Sequence, residues 1–379
     1  MIYLDNNATT SLAPDVTEAI VSVFREAYGN PSSAHRFGVG SRKLVVDARD
    51  SVAELLGAAD ANEIFFTSGG TESDNWAIFG TAEAFPEKKT IVTSAVEHEA
   101  VKRPFEKLAQ KDYQVTWLEV DEKGSLDLDQ VRDSIDHDTA IVSLMMANNE
   151  TGVVFPVAEV AEIVRERSNA LMHVDGVNAV GKIDIDLKKT DIDLFSISAH
   201  KFHGPKGVGA LYVRSGVRLS SMLIGGGQES GRRAGTEAVH QIVGLGAAAK
   251  FAKNLGEMDR VRELRDHLEN AILSAIPNTY VNGDRVNRLP NTSNISFEEI
   301  NGEMILARLD EAGICVSTGS ACNSETHTAS PVLQAMNIPF SRAMGSIRFS
   351  LSRFTTAEEI DRVTGCLPPI ISDLRKIAG

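Results

Sequence analysis

Hydrophobic residues in the first two thirds of the chain form two alternating patterns. Short, continuous apolar runs are separated by longer stretches in which apolar residues recur at helical spacing. The longer stretches predict helices over Pro14–Ala27 and Ser41–Leu56, and further helical segments between most of the runs. The runs predict strands at Glu63–Thr67, Thr90–Thr93, Val115–Leu118, Ala140–Met146, Leu171–Val174, Ile192–Ile197 and Gly209–Val213. This alternation favours a mostly parallel sheet covered by helices on both faces.

The last third of the chain follows a different order. A helical run from Val239 to about Ile276, with a break near Gly256, leads into an α+β unit. Its final helix, Ala357–Ile377, is expected to break at Pro368-Pro369, because proline lacks a backbone N–H. The other predicted elements of this unit are Asn294–Phe297, Gly302–Ala312, Ile314–Val316 and Ser346–Ser350. We therefore expect an α/β protein with a large domain over 15–255 and a smaller domain formed by 1–14 and 256–379.

Polar residues directly follow several of the predicted strands. Ligands of a parallel α/β sheet bind beyond the carboxyl ends of its strands, so these residues define a candidate site. They are Gly70 and Thr71 after one strand, then His98, Asn149, Asp175 and Lys201 after four others.

The segment Ser198–Gly207 places Lys201 between two strands, beside a serine and a histidine. Burial disfavours a charged amine, and the neutral amine is a nucleophile that forms Schiff bases. We therefore expect Lys201 to hold pyridoxal 5'-phosphate (PLP). An ordinary loop lysine is the alternative interpretation.

PLP requires several further groups, and the chain offers a candidate for each. Asp175 can keep the pyridine nitrogen protonated, although a strand-end aspartate is also typical of a turn or cap. His98 can stack on the ring and assist proton transfer, with a surface or capping role as the alternative. Glycine turns at helix starts favour phosphates. The candidate phosphate ligands are Gly70, Thr71, Ser198 and His200.

Two residues in the last third are candidates for substrate chemistry. Cys322 lies among small and polar residues, where a thiol is accessible enough to be a nucleophile, although an incidental surface cysteine fits as well. Arg348 is a charged residue in a strand-like segment, suited either to a substrate carboxylate or to a structural ion pair. Cys315 and Cys366 have apolar neighbours and are interpreted as small core residues.

Composition narrows the class of protein. Hydrophobic residues make up 42% and charged residues 24%, typical of a globular protein, and the net charge of -14 argues against nucleic acid as the main partner. No apolar run approaches the ~20 residues that span a bilayer, and no secretory signal is evident. Three cysteines form neither a disulfide framework nor a zinc pattern, so a cytoplasmic location without an intrinsic metal is expected.

Seven motifs are spread along nearly the whole chain: Tyr3–Thr10, Gly29–Ser33, Thr67–Ser73, Asn148–Gly152, Ser198–Lys201, Ser320–Cys322 and Ile347–Leu351. Together and in this order they resemble those of the NifS/IscS-type cysteine desulfurases, PLP enzymes of the class V aminotransferase family with the aspartate aminotransferase fold (fold type I). The resemblance implies conversion of L-cysteine to L-alanine, with the sulfur passing as a persulfide to an enzyme cysteine. It also implies a homodimer that supplies sulfur to an iron–sulfur scaffold or another acceptor protein.

The resemblance assigns a role to each candidate residue. Lys201 carries the PLP aldimine, Asp175 pairs with the pyridine nitrogen, His98 stacks on the ring, and Cys322 accepts the sulfur and could transiently ligate a cluster held with a scaffold. The residues assigned to the phosphate are Gly70, Thr71, Ser198 and His200, with Thr236 from the other subunit. The residues assigned to the substrate are Arg348, Asn149 and Asn7, and Asn149 is assigned to the cofactor as well. The stretch from Cys322 to about Gly345 is long enough for a swinging loop, which favours the NifS/IscS type over the SufS type.

Two departures from the family pattern concern the site and its partners. Asn178 stands where the family usually has glutamine in contact with the PLP ring oxygen, and Thr328-Ala329-Ser330-Pro331 replaces the usual Glu-Pro-Ser. Other functions stay open: a class V aminotransferase, a selenocysteine lyase, or a non-enzymatic sulfur carrier or scaffold-binding protein with a decayed PLP site.

Overall fold

A computed structural model describes residues 1–318 and 329–378 of the chain. Its strands are β1 (Ile2–Tyr3), β2 (Ile64–Thr67), β3 (Thr90–Ser94), β4 (Gln114–Leu118), β5 (Thr139–Met145), β6 (Leu171–Asp175), β7 (Leu194–Ser198), β8 (Gly209–Val213), β9 (Thr279–Val281), β10 (Thr292–Phe297), β11 (Ile314–Cys315) and β12 (Ser346–Ser350). Its helices are α1 (Pro14–Glu26), α2 (Arg36–Leu56), α3 (Gly70–Ala84), α4 (Glu99–Ala109), α5 (Leu128–Asp133), α6 (Val157–Arg167), α7 (Val239–Lys253), α8 (Met258–Ala275), α9 (Gly302–Glu311), α10 (Pro331–Ala335), α11 (Phe340–Ala343) and α12 (Ala357–Ala378).

A seven-stranded sheet forms the centre of the molecule, in the order β2-β8-β7-β6-β5-β3-β4. Only β8 runs antiparallel to its neighbours, so β2, β7, β6, β5 and β3 all end at the same edge. The prediction of a mostly parallel sheet is confirmed. Each of these five strands has one of the predicted polar positions at its end or in the segment that follows it, and the strand order brings those positions together.

Buried apolar residues form two large clusters. The first joins the sheet to flanking helices, as at Val52 of α2, Val142 of β5 and Leu245 of α7. The second joins the start of the chain, at Leu4, to α8, α9, α12 and the three-stranded antiparallel sheet β12-β10-β9. β1 pairs in parallel with β11 and thereby fixes the N-terminal segment beside β12.

The predicted break in the last helix is wrong. α12 continues through Pro368 and Pro369 because its apolar face stays buried on both sides of them. Interior prolines cost about 3 kcal/mol each, whereas burying one large aliphatic side chain contributes about 1.5–3 kcal/mol. The buried residues of this face are Ile360, Val363, Leu367, Ile371 and Leu374.

The second helix begins earlier than predicted. α2 starts at Arg36 and not at Ser41, because the His35 side chain caps it and Nδ1 accepts a hydrogen bond from the Gly38 N–H at 3.2 Å. Its predicted end is confirmed, since Gly57 adopts the left-handed conformation (φ 60°) that terminates helices. The predicted break near Gly256 is also confirmed, since α7 ends at Lys253 and α8 begins at Met258.

Candidate active site

An open cavity of about 170 Å³ lies at the carboxyl edge of the large sheet. The structure brings nearly all the predicted cofactor ligands to its walls. The lining residues predicted from the sequence are Gly70, Thr71, His98, Asn149, Asp175, Asn178, Ser198, His200 and Lys201. Asp74, Met145, Ala147 and Val177 also line it.

The glycine turn between β2 and α3 can approach a ligand closely. Gly69 has φ 155°, which other residues rarely adopt, and a Cβ on Gly70 would lie 2.7 Å from Val177 Cγ2. Gly70 and Thr71, the first two residues of the 15-residue α3, line the cavity, so the helix N-terminus with its backbone N–H groups lies at the cavity wall. Ser198 at the end of β7 and His200 in the following turn contribute side-chain donors on the same side of the sheet.

His200 is neutral in this position. Burial, followed by the nearby charge of Lys201, lowers its pKa to about 4. Its Nδ1 lies 3.3 Å from Thr9 Oγ1. When Nδ1 accepts from that hydroxyl, Nε2 carries the proton and can donate to an anion.

Asp175 and His98 each make a local structural hydrogen bond and also lie at the cavity wall. Asp175 Oδ1 accepts from the Val177 N–H at 2.9 Å, and His98 caps α4 by accepting from the Ala100 N–H at 3.1 Å, yet both side chains line the cavity. Burial raises the pKa of Asp175, and the charges of His98 and Lys201 oppose that rise. A cation beside Asp175 therefore stabilises its anion.

Lys201 lies in a short 3-10 turn, Ala199–Lys201, directly after β7. Its Nζ donates to the main-chain oxygen of Asn7, and the Asn7 side chain is buried beneath it. Asn7 Nδ2 donates to Asn149 O at 3.1 Å and to Thr292 Oγ1 at 2.9 Å. The structure thus makes Asn7 a support beneath the site, and the predicted contact between its side chain and substrate stays a prediction.

Arg348 lies on β12, 4% exposed, beside the cavity rather than among its lining residues. Its Nη2 pairs with Asp5 Oδ1 at 2.7 Å and its Nη1 donates to Asn149 O at 3.0 Å, whereas its buried Nε has no hydrogen-bond partner among the described residues. The structural ion pair is therefore present. Its position against Asn149 is also compatible with carboxylate binding.

Three hydrogen bonds fix the position of Asn178. Its Nδ2 donates to Asn148 O at 3.2 Å, and both of its oxygens accept from Lys182 Nζ, at 2.8 Å for the main chain and 2.9 Å for the side chain. A side chain shorter than glutamine is thereby fixed at the cavity wall.

Thr236 lies away from this cavity. Thr236 is exposed and lines a separate surface cavity with Phe24, Tyr28 and His240. Cys322 lies outside the described residues, as does Thr328. Ser330 is described: it caps α10, and its Oγ hydrogen-bonds the buried Glu150 Oε2 at 2.5 Å.

Sequence reasoning missed several buried polar groups beside the cavity. Asp74 is 1% exposed, its Oδ1 lacks a hydrogen-bond partner among the described residues, and burial raises its pKa well above the usual range. Burial likewise raises the pKa of Glu97 to about 8 and that of Glu150 to about 7, and lowers that of His173 to about 3. Glu150 lies within the motif Asn148–Gly152 and Asp74 directly follows the motif Thr67–Ser73, but only burial distinguishes these two residues from ordinary loop and helix residues.

A family model described as class V aminotransferase matches residues 2–363. The chain is 52% identical over 380 residues to a cysteine desulfurase from Nostoc sp., covering 100% of this chain and 94% of that protein. It is 49% identical over 379 residues to the cysteine desulfurase NifS of Azotobacter vinelandii, covering 100% and 94%.

Two solved structures are similar throughout. A NifS-like protein has a TM-score of 0.92 and 39% identity, covering 98% of this chain and 100% of that chain. SspA in complex with cysteine has a TM-score of 0.84 and 32% identity, covering 94% of this chain and 100% of that chain.

The chain belongs to the class V aminotransferase family. Within that family, its full-length relatives are named cysteine desulfurases and NifS, which confirms the resemblance and the fold inferred from the sequence.

Proposed function

We propose that this chain is a PLP-dependent cysteine desulfurase. L-cysteine and the thiol of Cys322 would give L-alanine and a Cys322 persulfide, so that the sulfur leaves the substrate with its atoms and electrons balanced. The convergence of Lys201, Asp175, His98 and the α3 N-terminus on one cavity carries the proposal, since this donor set suits PLP.

The residues present fit the cofactor by their chemistry. Backbone N–H groups of α3, with Ser198 and His200, would hold the phosphate, and the Asp175 carboxylate would hold the pyridine N–H. When bound, PLP supplies an electron sink that stabilises negative charge on the substrate. The Lys201 amine would then take and return protons at Nζ, and His98 would cover the ring.

Arg348 and Asn149 would orient the substrate. A guanidinium binds a carboxylate bidentately. In Arg348 the two nitrogens that would do so are Nε, which has no hydrogen-bond partner among the described residues, and Nη2, which would first have to turn away from Asp5. The homologous SspA structure was solved with cysteine, which supports the same substrate for this chain.

Replacing Cys322 with alanine separates this proposal from its alternatives. Purified protein with PLP and L-cysteine is assayed for alanine and for protein-bound sulfane sulfur together. The wild-type chain is expected to form both, and Cys322→Ala to lose the bound persulfide, whereas Cys366→Ala, which removes a partly buried thiol, serves as the matched control.

Other outcomes identify the other functions. An aminotransferase would keep full activity in Cys322→Ala, and a selenocysteine lyase would prefer selenocysteine. Bound sulfur without PLP absorbance would indicate a carrier protein. If wild type yields neither alanine nor persulfide, the desulfurase proposal is wrong.

We further propose that the chain acts as a homodimer in which Thr236 reaches the partner's phosphate site. The support is an exposed aromatic patch of Phe24, Tyr28 and Phe37, with 62%, 77% and 55% of their surfaces exposed. Tyr28 and Phe37 contact each other with ring centroids 5.4 Å apart, and Thr236 lines the cavity beside Phe24 and Tyr28. Exposed apolar patches of this kind mark interaction surfaces.

Light scattering tests the dimer. We expect a mass of about twice 40.9 kDa for wild type. Phe24→Asp/Tyr28→Asp is expected to give monomers with weakened PLP binding, because burying two carboxylates opposes association. Val286→Asp, at a residue that is 92% exposed and outside the patch, should remain dimeric. A monomeric wild-type protein would contradict the proposal.

The proposed physiological role is sulfur supply to an iron–sulfur scaffold or another acceptor, since the relatives include NifS. None of the helices in the described chain is long and apolar enough to cross a membrane. The cytoplasmic location and the domain boundaries at 14/15 and 255/256 stay predictions.

A further inference from the structure

A second lysine lies close to Lys201 and has no role in the proposed reaction. Lys182 is 8% exposed and follows β6 in the turn after Asp175. Its Nζ donates to Asn178 O at 2.8 Å, Asn178 Oδ1 at 2.9 Å and Asn7 Oδ1 at 3.3 Å. Three oxygen acceptors match the three N–H groups of an ammonium ion.

No carboxylate among the described residues forms an ion pair with Lys182. Burial, and then the like charges of Lys201 and Arg348, lower its pKa, while the three oxygens favour the charged form. The titratable and charged groups that face the two lysines are Arg348, His200, His203 and Asp175. Burying an amine without a counterion is costly, and a methionine could fill the same space.

Both residues that Lys182 contacts belong to the site. The main-chain oxygen of Asn7 accepts from Lys201 Nζ, while its side-chain oxygen accepts from Lys182. Asn178 lines the large cavity, and its side-chain oxygen is the one that Lys182 holds. Lys182 and Lys201 also line one small cavity beneath the site, together with Asn291.

We propose that Lys182 is a positioning residue: as a buried cation bound to Asn7 and Asn178, it fixes the acceptor of the Lys201 amine and a wall of the cofactor cavity. Its charge also disfavours a second ammonium ion nearby and so keeps the Lys201 amine nucleophilic. This inference rests on the proposed role of Lys201 in PLP binding and adds an electrostatic origin for its reactivity.

Lys182→Met and Lys182→Gln test the two parts of the proposal. The first measurement is the pH dependence of Lys201 acetylation in the apoprotein, read by peptide mass spectrometry, which gives an apparent pKa without cofactor. The second is the dissociation constant of PLP by absorbance titration. Lys88→Met is the control, because Lys88 is a partly buried lysine that lies away from the cavity and whose Nζ donates to Thr139 O at 2.9 Å.

Lys182→Met is expected to raise the apparent pKa of Lys201 by about one unit, because a neighbouring cation is lost, and to weaken PLP binding about tenfold. Lys182→Gln should raise the pKa equally but restore part of the PLP affinity, since an amide can still donate to Asn7 or Asn178. Lys88→Met should change neither value.

The proposal is overturned if Lys182→Met lowers only thermal stability and leaves both values at wild type. If wild type itself fails to bind PLP at Lys201, the proposed function is wrong. The acetylation profiles still show whether the charge of Lys182 lowers the pKa of Lys201. A Gln variant that behaves as wild type in pKa would remove the electrostatic part and leave the hydrogen-bonding part.

Discussion

Lys201→Ala is expected to abolish the visible absorbance of PLP bound to the protein and to reduce alanine formation about 10²- to 10⁴-fold. Two functions disappear together, because the variant lacks both the amine that attaches the cofactor and the group that moves protons to and from the substrate. The loss should be chemical and not structural, since Lys201 lies on a short turn whose neighbours are anchored by main-chain bonds, such as Phe202 N to Ala199 O. Absorbance spectra and alanine assays at saturating PLP measure both effects.

Lys206→Ala is the matched control for this experiment. Lys206 is an exposed lysine five positions further along the same segment, so its replacement tests for nonspecific loss of positive charge. It should keep the visible band and activity within about twofold. A visible band that persists in Lys201→Ala would place the cofactor on another amine and contradict the assignment.

Asp175→Asn is expected to lower the turnover number about 10²- to 10³-fold while PLP remains bound through Lys201. The asparagine side chain is isosteric and can still accept the hydrogen bond from the Val177 N–H, so the end of β6 should keep its shape. What is lost is the negative charge beside the pyridine nitrogen, and losing a preorganised electrostatic partner has an effect of about this size. Steady-state alanine formation, with PLP content measured on the same sample, separates turnover from cofactor loss.

Asp193→Asn provides the comparison. Asp193 is also a buried aspartate, 3% exposed, that accepts from a backbone N–H, here that of Met172 at 2.9 Å, but it pairs with Arg165 and does not line the cavity. Its replacement should reduce stability more than turnover. Equal losses of turnover in both variants would indicate that Asp175 acts only as a structural carboxylate.

Residues at strand ends could be predicted because a single local rule locates them. Asp175, Lys201 and the glycine turn each follow a short apolar run, and the parallel sheet brings such ends together whatever the lengths of the intervening helices. Their chemical types then pointed to PLP before any contact was known.

Groups that depend on distant parts of the chain could not be predicted in the same way. Lys182 and Asp74 lie in ordinary turn and helix contexts, and only burial against residues far away in sequence makes them unusual. The continuity of α12 through two prolines likewise depends on its packing face, which a local rule about proline ignores. The role that the family resemblance assigns to Thr236 requires a second subunit, and within its own chain Thr236 lines a different cavity.

The hydrogen bonds of Asn7 have a consequence for biosynthesis. Asn7 precedes these partners in the chain by more than a hundred residues: they are Asn149, Lys182, Lys201, Asn291 and, through its main-chain N–H, the Ser350 hydroxyl. Contacts so distant in sequence form late, after the segments between them have been synthesised. The floor of the pocket is therefore completed only after the segment from Asn7 to Ser350 has been synthesised, so this part of the molecule folds late.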